Sequence, residues 1–293
     1  MIRVENLCKG YGIKKVLDNV NINVSKGEIH GLIGDNGAGK TTLIKCLTGI
    51  YKPDSGTILY DDKEIYDVPE TKEHVGYVSD TCGYIGKYKI ADLVRMYENF
   101  YPRFNRKKFD DYNQSFKLNL STKVKSLSKG QKMRLGFMIE TAKEPDYLIM
   151  DEPTSGLDPV AKSKFLELLV DEVDKRGTGV LISTHNLNDL EKLCDTITMM
   201  SEGKVVNNES LDDFKNKLVK LQVVFENGID EKKLNIPNIV KFSHVGSVYT
   251  LIVDGYDDIM ETILRNLGAG FIEVIDINLE ELYIALDSRK ERE

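Results

Sequence analysis

Three short apolar stretches in the first two thirds of the chain show the pattern of buried strands. They are residues 28–33, 147–150 and 180–183. Each is too short for a buried helix and is rich in the side chains of strands that are covered on both faces of a parallel sheet. A loop or the start of a helix follows each stretch, and this alternation predicts an α/β layered domain.

Helical patterns fill the spaces between these strands. In residues 129–143, for example, Leu135, Met138, Ile139 and Ala142 recur at helical spacing. The other predicted helices of this part are residues 40–48, 91–100, 160–175 and 187–194.

The pattern changes after Gly203, which predicts a second, α+β unit. The predicted elements are strands at 218–225 and at 239–253, the latter turning at 245–247, a helix at 257–267, a strand at 271–277 and a helix at 279–286. Residues 287–293 are charged and carry no predicted structure. We therefore predict a first domain at 1–204 and an accessory domain at 205–293.

Composition and charge narrow the functional classes. The chain has 293 residues, of which 41% are hydrophobic and 30% are charged, as in globular proteins. A net charge of -7 offers no basic footprint for nucleic acid, so we expect no nucleic-acid partner. No apolar run approaches the roughly 20 residues that cross a bilayer. If the protein acts at a membrane, we therefore expect it to do so by docking.

The cysteines and histidines are scattered rather than clustered. Cys8, Cys46, Cys82 and Cys194 form no C-x-x-C pair, so we expect reduced thiols and no zinc site. The four histidines are equally dispersed, which predicts no transition-metal site.

A glycine-rich segment follows the first predicted strand and fits the P-loop pattern G-x-x-x-x-G-K-[ST]. It consists of Gly34, Asp35, Asn36, Gly37, Ala38, Gly39, Lys40 and Thr41. Glycines let backbone N–H groups surround phosphate oxygens, and the next helix presents its positive N-terminal end to the same anion. We expect Lys40 to reach the β- and γ-phosphates, Thr41 to bind Mg²⁺ and Thr42 to contact the α-phosphate. The alternative is a simple glycine-rich turn.

Polar residues also end the other two predicted strands. Asp151 and Glu152 follow one of them, so Asp151 is expected to hold Mg²⁺ and Glu152 to deprotonate the attacking water. The alternative is a solvated acidic turn. His185 ends the third strand, where a lone histidine is more often structural. Ligands bind beyond the carboxyl ends of strands in such sheets, so we expect Lys40, Glu152 and His185 to converge.

The segment Leu127-Ser128-Lys129-Gly130-Gln131 opens a predicted helix. Ser128 with Gln131 three residues later forms a capping box, and an ordinary helix cap is one interpretation. The other is that this positive helix end faces phosphate. Since the P-loop already supplies one phosphate site, the second would contact nucleotide held by a partner subunit.

Taken in order, the motifs GDNGAGKTT, LSKGQ, YLIMDEP, SGLD and STH resemble the ABC ATPase family over about residues 1–204. The resemblance implies a P-loop NTPase fold, with a RecA-like core, an antiparallel β subdomain and a helical subdomain at about 81–140. It also implies a head-to-tail dimer of two such subunits. Each ATP would be held by the P-loop of one chain and by the signature segment (residues 127–131) of the other.

Further roles follow from the same resemblance. Residues 155–158 would be the D-loop, which communicates across the dimer. Tyr11 resembles the aromatic residue that stacks on adenine, although a surface tyrosine is the alternative. The implied reaction is hydrolysis of ATP with Mg²⁺, coupled to transport through a separate transmembrane permease. The subunit would lie on the cytoplasmic, inner face of the membrane.

Three positions depart from the family pattern. Asp80 stands where the family has glutamine, and its carboxylate could still serve Mg²⁺. Lys129 stands where glycine is commonest in the signature segment. Asp35 stands where proline is frequent.

An aromatic run, Phe100-Tyr101-Pro102-Arg103-Phe104, lies in the predicted helical subdomain. It is either part of the subdomain core or a surface that grips a membrane partner, since aromatic residues and arginine favour interfaces. The accessory domain and the Asp80 variant resemble ATPase subunits of bacterial exporters. A soluble ABC ATPase and an ATP-binding sensor that acts through the C-terminal domain are the alternatives.

Overall fold

The computed structural model describes residues 1–81, 83, 86–226 and 228–290, with side chains through residue 286. The chain forms two compact units. The first comprises Met1–Asn186 with Leu193–Glu209, and the second comprises Leu187–Lys192 with the residues from Ser210 onward. Cys82 of the sequence analysis lies outside the described residues, as do the final residues 291–293, whereas Cys8, Cys46 and Cys194 are free thiols.

The strands of the first unit form two sheets. They are β1 (Ile2–Tyr11), β2 (Lys14–Val24), β3 (Ile29–Gly34), β4 (Ser55–Tyr60), β5 (Lys63–Glu64), β6 (Val75–Val78), β7 (Tyr147–Asp151), β8 (Gly179–Ser183), β9 (Thr196–Ser201) and β10 (Lys204–Ser210). The first sheet is antiparallel in the order β2-β1-β4-β5. The second has the order β10-β9-β3-β8-β7-β6.

Parallel pairing in the second sheet places the functional motifs. Strands β6, β7, β8, β3 and β9 are mutually parallel, so their carboxyl ends share one edge of the sheet. Every residue of β7 and β8 is buried, because such strands are covered on both faces. In register, Asp151 of β7 lies beside Ser183 of β8.

Helices flank these sheets. They are α1 (Lys40–Leu47), α2 (Pro69–Glu73), α3 (Ile90–Phe100), α4 (Arg106–Phe116), α5 (Lys129–Ala142) and α6 (Pro159–Arg176). The next helix along the chain, α7 (Leu187–Leu193), groups with the second unit except for its last residue. One core of buried side chains joins the antiparallel sheet, α1 and the parallel sheet, and includes Leu17, Leu43, Leu47 and Tyr147. Among the described residues, no helix combines the length and the apolar composition required to span a bilayer.

The second unit is built around an antiparallel sheet. Its elements are α8 (Leu211–Lys215), β11 (Val219–Val224), β12 (Ile239–Val245), β13 (Val248–Val253), α9 (Asp258–Asn266), β14 (Phe271–Ile275) and α10 (Leu279–Lys290). The strand order is β12-β13-β11-β14. Leu221, Leu251 and Val253 of the sheet share a core with Met260 and Leu264 of α9.

Two boundaries differ from the sequence-based ones. The first unit extends past residue 204, because β10 continues its sheet. The short segment Leu187–Lys192 groups with the second unit, where the Glu191 carboxylate accepts hydrogen bonds from Lys215 (2.7 Å) and from the backbone N–H of Leu279 (3.2 Å).

The prediction that the tail from residue 287 lacks structure is wrong up to Lys290, since α10 continues through that residue. Residues 287–290 include neither glycine nor proline, and basic residues suit a helix C-terminus.

Candidate functional site

The P-loop connects the end of β3 to the start of α1. Gly34, Gly37 and Gly39 have φ values of 151°, 88° and 103°, which side chains with a Cβ rarely adopt. A Cβ on Gly34 would lie 2.3 Å from the Met200 carbonyl oxygen of β9, so the loop also needs the missing side chain for space. Gly39 precedes α1 without a side-chain cap, which leaves the first-turn N–H groups directed at the loop.

Lys40 begins α1 and folds back over the P-loop. Its ammonium donates hydrogen bonds to the carbonyl oxygens of Gly34 and Asp35, the latter at 3.0 Å. Burial lowers the pKa of Lys40, while the nearby Glu152 and Asp151 carboxylates oppose that shift. A half-buried cation in this position is suited to pairing with a polyphosphate anion.

A cavity of about 680 Å³ opens beside this loop in the first unit. It is lined by Tyr11, Lys14, Lys15, Val16, Asn36, Gly37, Gly39, Lys40, Thr41, Thr42, Asp151, Glu152, Glu202 and Gly203. Of the predicted P-loop residues, Gly34, Asp35 and Ala38 shape the turn rather than line the cavity, and the Ala38 N–H donates to the Asp35 carbonyl at 3.1 Å.

Oxygen ligands cluster at the floor of the cavity. The Thr41 hydroxyl donates to Asp151 Oδ2 at 3.1 Å, and the buried Ser183 hydroxyl donates to Asp151 Oδ1 at 2.6 Å. Asp151 itself is 5% exposed. A hydroxyl beside a fixed carboxylate is a donor set that fits Mg²⁺, which prefers oxygen ligands and keeps several waters.

Glu152 follows β7 in an unusual backbone conformation, with φ at 52°. Its N–H donates to the Ser183 carbonyl at 2.9 Å, and its carbonyl accepts from the Ser155 N–H at 3.1 Å. These two bonds hold a left-handed conformation that is costly for a residue with a Cβ. The Glu152 carboxylate lies 2.7 Å from Nδ1 of His185, so the structure brings together these two predicted catalytic residues.

Tyr11 lies at the end of β1 and on the rim of the cavity. Its side chain is among the exposed large apolar groups, at 48% relative exposure. Tyr51 contacts it edge-on, with ring centroids 6.1 Å apart and planes at 77°. This contact orients a ring that remains accessible to a planar ligand.

The signature segment lies at the start of α5. The Gln131 N–H donates to Ser128 Oγ at 3.2 Å, and the Ser128 N–H donates to Gln131 Oε1 at 3.0 Å, which completes the predicted capping box. Gly130 is buried against the D-loop, where an added Cβ would meet the Gly156 carbonyl oxygen at 2.4 Å. Among the described residues, none of Ser128, Lys129, Gly130 and Gln131 lines the cavity of their own chain.

The two most informative departures from the family pattern meet each other. The Lys129 ammonium forms an ion pair with the Asp80 carboxylate and donates a hydrogen bond to Ser155 Oγ at 3.0 Å. Asp80 is not among the described residues that line the cavity. The structure therefore places the Asp80 carboxylate against Lys129 of the signature segment.

Sequence reasoning missed several residues of the site. Lys14, Lys15 and Val16 line the cavity from β2, and Glu202 with Gly203 line it from the turn between β9 and β10. The two lysines shortly after Tyr11 could have indicated an anion-binding site. The turn between β9 and β10 has no sequence pattern that indicates nucleotide binding.

Comparison with known proteins agrees with this geometry. The sequence model of the ABC transporter family matches residues 17–155. The ABC transporter ATP-binding protein YtrB of Bacillus subtilis (strain 168) is 32% identical over 292 residues, covering 100% of both chains. The lantibiotic transport ATP-binding protein SrtF of Streptococcus pyogenes is 32% identical, over 77% of this chain and 99% of SrtF.

A solved structure shows the same fold. The dimeric structure of MJ0796, a bacterial ABC transporter cassette, is 25% identical with a TM-score of 0.66, over 72% of this chain and 99% of that one. The predicted P-loop NTPase fold class is thereby confirmed. The chain belongs to the ABC transporter ATP-binding proteins, and it is an ATP-binding, ATP-hydrolysing subunit that energises transport.

Proposed function

We propose that this subunit powers export through a separate membrane permease, as a dimer whose two ATP sites each require both chains. The proposal rests on one observation: within a single chain, the P-loop and the signature segment do not line the same cavity. The P-loop, Asp151 and Glu152 share one cavity, whereas the capped start of α5 does not line it. The similar solved structure of a bacterial ABC transporter cassette is dimeric, which supports a dimer here.

Within the cavity, the proposed roles follow from contacts and charge. Lys40 and the N–H groups that begin α1 bind the β- and γ-phosphates, and Thr42 binds the α-phosphate. Thr41 and Asp151 hold Mg²⁺, which neutralises charge that develops on the phosphates. The rim residue Tyr11 stacks on adenine.

Hydrolysis requires a base next to the γ-phosphate. Glu152 takes a proton from the attacking water, because two backbone hydrogen bonds fix its main chain at the end of β7 and its side chain lies in the same cavity as Lys40. His185 contacts Glu152 at 2.7 Å and orients that carboxylate while it helps to place the γ-phosphate.

The signature segment acts on the partner's nucleotide. Ser128, Lys129, Gly130 and Gln131 contact the γ-phosphate of ATP bound by the other subunit, with the positive end of α5 directed at it. The Asp80 carboxylate is paired with Lys129 in the structure, so we propose that Asp80 holds Lys129 rather than Mg²⁺.

A groove on the first unit fits the membrane partner. It has a volume of about 730 Å³ and is lined by residues of α2 and of the two positions before it, by residues of α3, and by Tyr101. Phe100, which the sequence left between core and interface, lines the groove and is 71% exposed, which favours the interface. We propose that the permease docks here, on the cytoplasmic face of the membrane.

Export is the proposed direction. SrtF is named for lantibiotic transport, and the sequence features around Asp80 and the second unit resemble exporter subunits. We propose that the first unit, which the sequence places at 1–204, acts as the nucleotide-binding domain and that the second, which the sequence places at 205–293, acts as an accessory domain.

The test is capture of tagged Glu152→Gln protein from detergent-solubilised native membranes with ATP present, followed by mass spectrometry. We expect a multi-span membrane protein that is lost with Phe100→Ala and kept with Phe271→Ala, since Phe271 is an exposed phenylalanine of the second unit. Recovery of soluble proteins alone would contradict the transporter assignment and favour a soluble ATPase or a sensor.

A further inference from the structure

Lys129 joins three segments that are distant in sequence. Its ammonium pairs with Asp80 after β6 and with Ser155 of the D-loop. Its aliphatic stem lies along Gly156, where Cβ, Cγ and Cδ of Lys129 are each 3.5 Å from the position of an added Cβ. The side chain is therefore laid over the D-loop with its charge held by Asp80.

We propose that Lys129 is a phosphate-contacting cation that moves from Asp80 to the γ-phosphate of the partner subunit's ATP when the dimer closes. This inference rests on the proposed function, because it needs nucleotide held by a second chain. It adds a side-chain contact at a position where the family most often has glycine, and it makes Asp80 the group that holds Lys129 back.

Electrostatics favours such an exchange. The Lys129 and Asp80 side chains are 48% and 42% exposed, and exposed ion pairs contribute little to stability. A cation in the first turn of α5 is also opposed by the positive end of the helix. The γ-phosphate carries more negative charge than one carboxylate and is shielded from water in a closed dimer, so it is the stronger partner for Lys129.

Packing against the D-loop distinguishes position 130, which needs glycine, from position 129, which carries a long side chain. A Cβ at Gly130 would lie 2.4 Å from the Gly156 carbonyl oxygen, so that glycine is required for the contact between α5 and the D-loop. The exposed Lys129 side chain lies over Gly156 at ordinary van der Waals distance, so a long side chain fits at position 129. The signature segment can therefore gain a cation without losing its packing.

The experiment measures ATP-dependent dimerisation of the full chain by sedimentation, in a Glu152→Gln background that keeps ATP uncleaved. Adding Lys129→Met should raise the dissociation constant of the ATP-bound dimer about tenfold or more, the scale of losing charge-assisted bonds to phosphate. Adding Asp80→Asn should lower this dissociation constant about fivefold, because closure of the dimer then no longer has to open two exposed ion pairs, one in each subunit. Asp80→Asn should have no effect on top of Lys129→Met, and Lys129→Arg should dimerise far better than Lys129→Met.

Asp110→Asn is the matched control, because it opens another exposed ion pair, with Arg106 at 3.0 Å, outside the proposed contact. It should behave as the Glu152→Gln parent does. If Asp80→Asn weakens the dimer as Lys129→Met does, or leaves it unchanged, the pair is a fixed brace and the exchange is wrong. Weaker ATP binding by the Asp80→Asn monomer would overturn it too, by assigning Asp80 to the metal. Failure of the parent itself to dimerise with ATP would instead refute the proposed function.

Discussion

The cavity beside the P-loop and the first turn of α5 both use glycine, for opposite reasons. Gly37 in the P-loop has φ at 88° and no atom within 4 Å of an added Cβ, so it is needed for backbone conformation. Gly130 is needed for space, since a Cβ would meet the D-loop carbonyl at 2.4 Å. One glycine shapes a surface for phosphate, and the other lets two segments of the same chain approach closely.

This difference separates two functions. In the proposed mechanism, one chain supplies the P-loop, the Mg²⁺ ligands and the general base that share the cavity, and the partner chain adds its signature segment. In the first turn of α5, the capping box pairs the N–H groups of Ser128 and Gln131. In the proposed mechanism, the positive end of this helix acts on a nucleotide held by the partner chain. Substitutions in the two regions should therefore separate nucleotide binding from the steps that need a partner.

The largest expected effect falls in the cavity. Glu152→Gln should lower ATP turnover about 10²- to 10⁴-fold, because it removes the general base. ATP affinity, measured by nucleotide titration, should stay close to that of the parent. Glu167→Gln on the exposed side of α6 should keep full turnover, and normal hydrolysis by Glu152→Gln would remove Glu152 from the mechanism.

A second substitution asks whether the cavity depends on the second unit. Leu251 is fully buried in the core of that unit, so Leu251→Ala should lower its free energy of unfolding by about 2–5 kcal/mol. Nucleotide affinity should not change at temperatures where the first unit is folded. A parallel loss of ATP binding would show that the cavity requires the second unit.

Gly130→Ala and Gly37→Ala test the two uses of glycine directly. The clash at Gly130 should displace the D-loop at a cost of about 1–3 kcal/mol, lowering ATPase activity without weakening ATP binding to the monomer. Gly37→Ala should weaken ATP binding itself, because an L-residue at that φ costs about 1–2 kcal/mol. Equal losses of ATP affinity in the two variants would contradict the distinction between a glycine needed for backbone conformation and a glycine needed for space.

The smallest effect is expected at the rim. Tyr11→Ala should weaken ATP binding by about 0.5–1.5 kcal/mol, the scale of an aromatic pair. Tyr11→Phe keeps the ring and should bind as the parent does. An unchanged ATP affinity in the Tyr11→Ala variant would show that Tyr11 is a surface tyrosine that does not stack on adenine.

The parts of the structure that were predictable have local signals. A few consecutive residues are enough to predict each of three features: the P-loop, the buried strand β7 and the capping box at Ser128. Helix α4 was not predicted, because only Phe109 and Phe116 are buried in it and its C-terminal cap is Lys117 at φ 53°, where glycine would have been the signal.

Contacts between distant residues were the least predictable. The Asp80–Lys129 pair joins the end of β6 to α5, and only the fold reveals that the two departures from the family pattern neutralise each other. The Ser183 hydroxyl that fixes Asp151 was missed for the same reason, since its partner lies on the neighbouring strand. Such pairs depend on register and packing rather than on local spacing.

The central claim is that each ATP site is built from two chains, and mixing two defective chains tests it most directly. One chain carries Lys40→Ala and keeps its signature segment, and the other carries Glu152→Gln with Ser128→Arg and keeps its P-loop. Neither should dimerise alone with ATP, whereas the mixture should form a heterodimer through its one intact composite site. Ser126→Arg in place of Ser128→Arg is the control, since Ser126 is exposed in the turn just before the signature segment and should not prevent self-association. A mixture that stays monomeric while both chains remain folded, or self-association of the Ser128→Arg chain, would contradict the account.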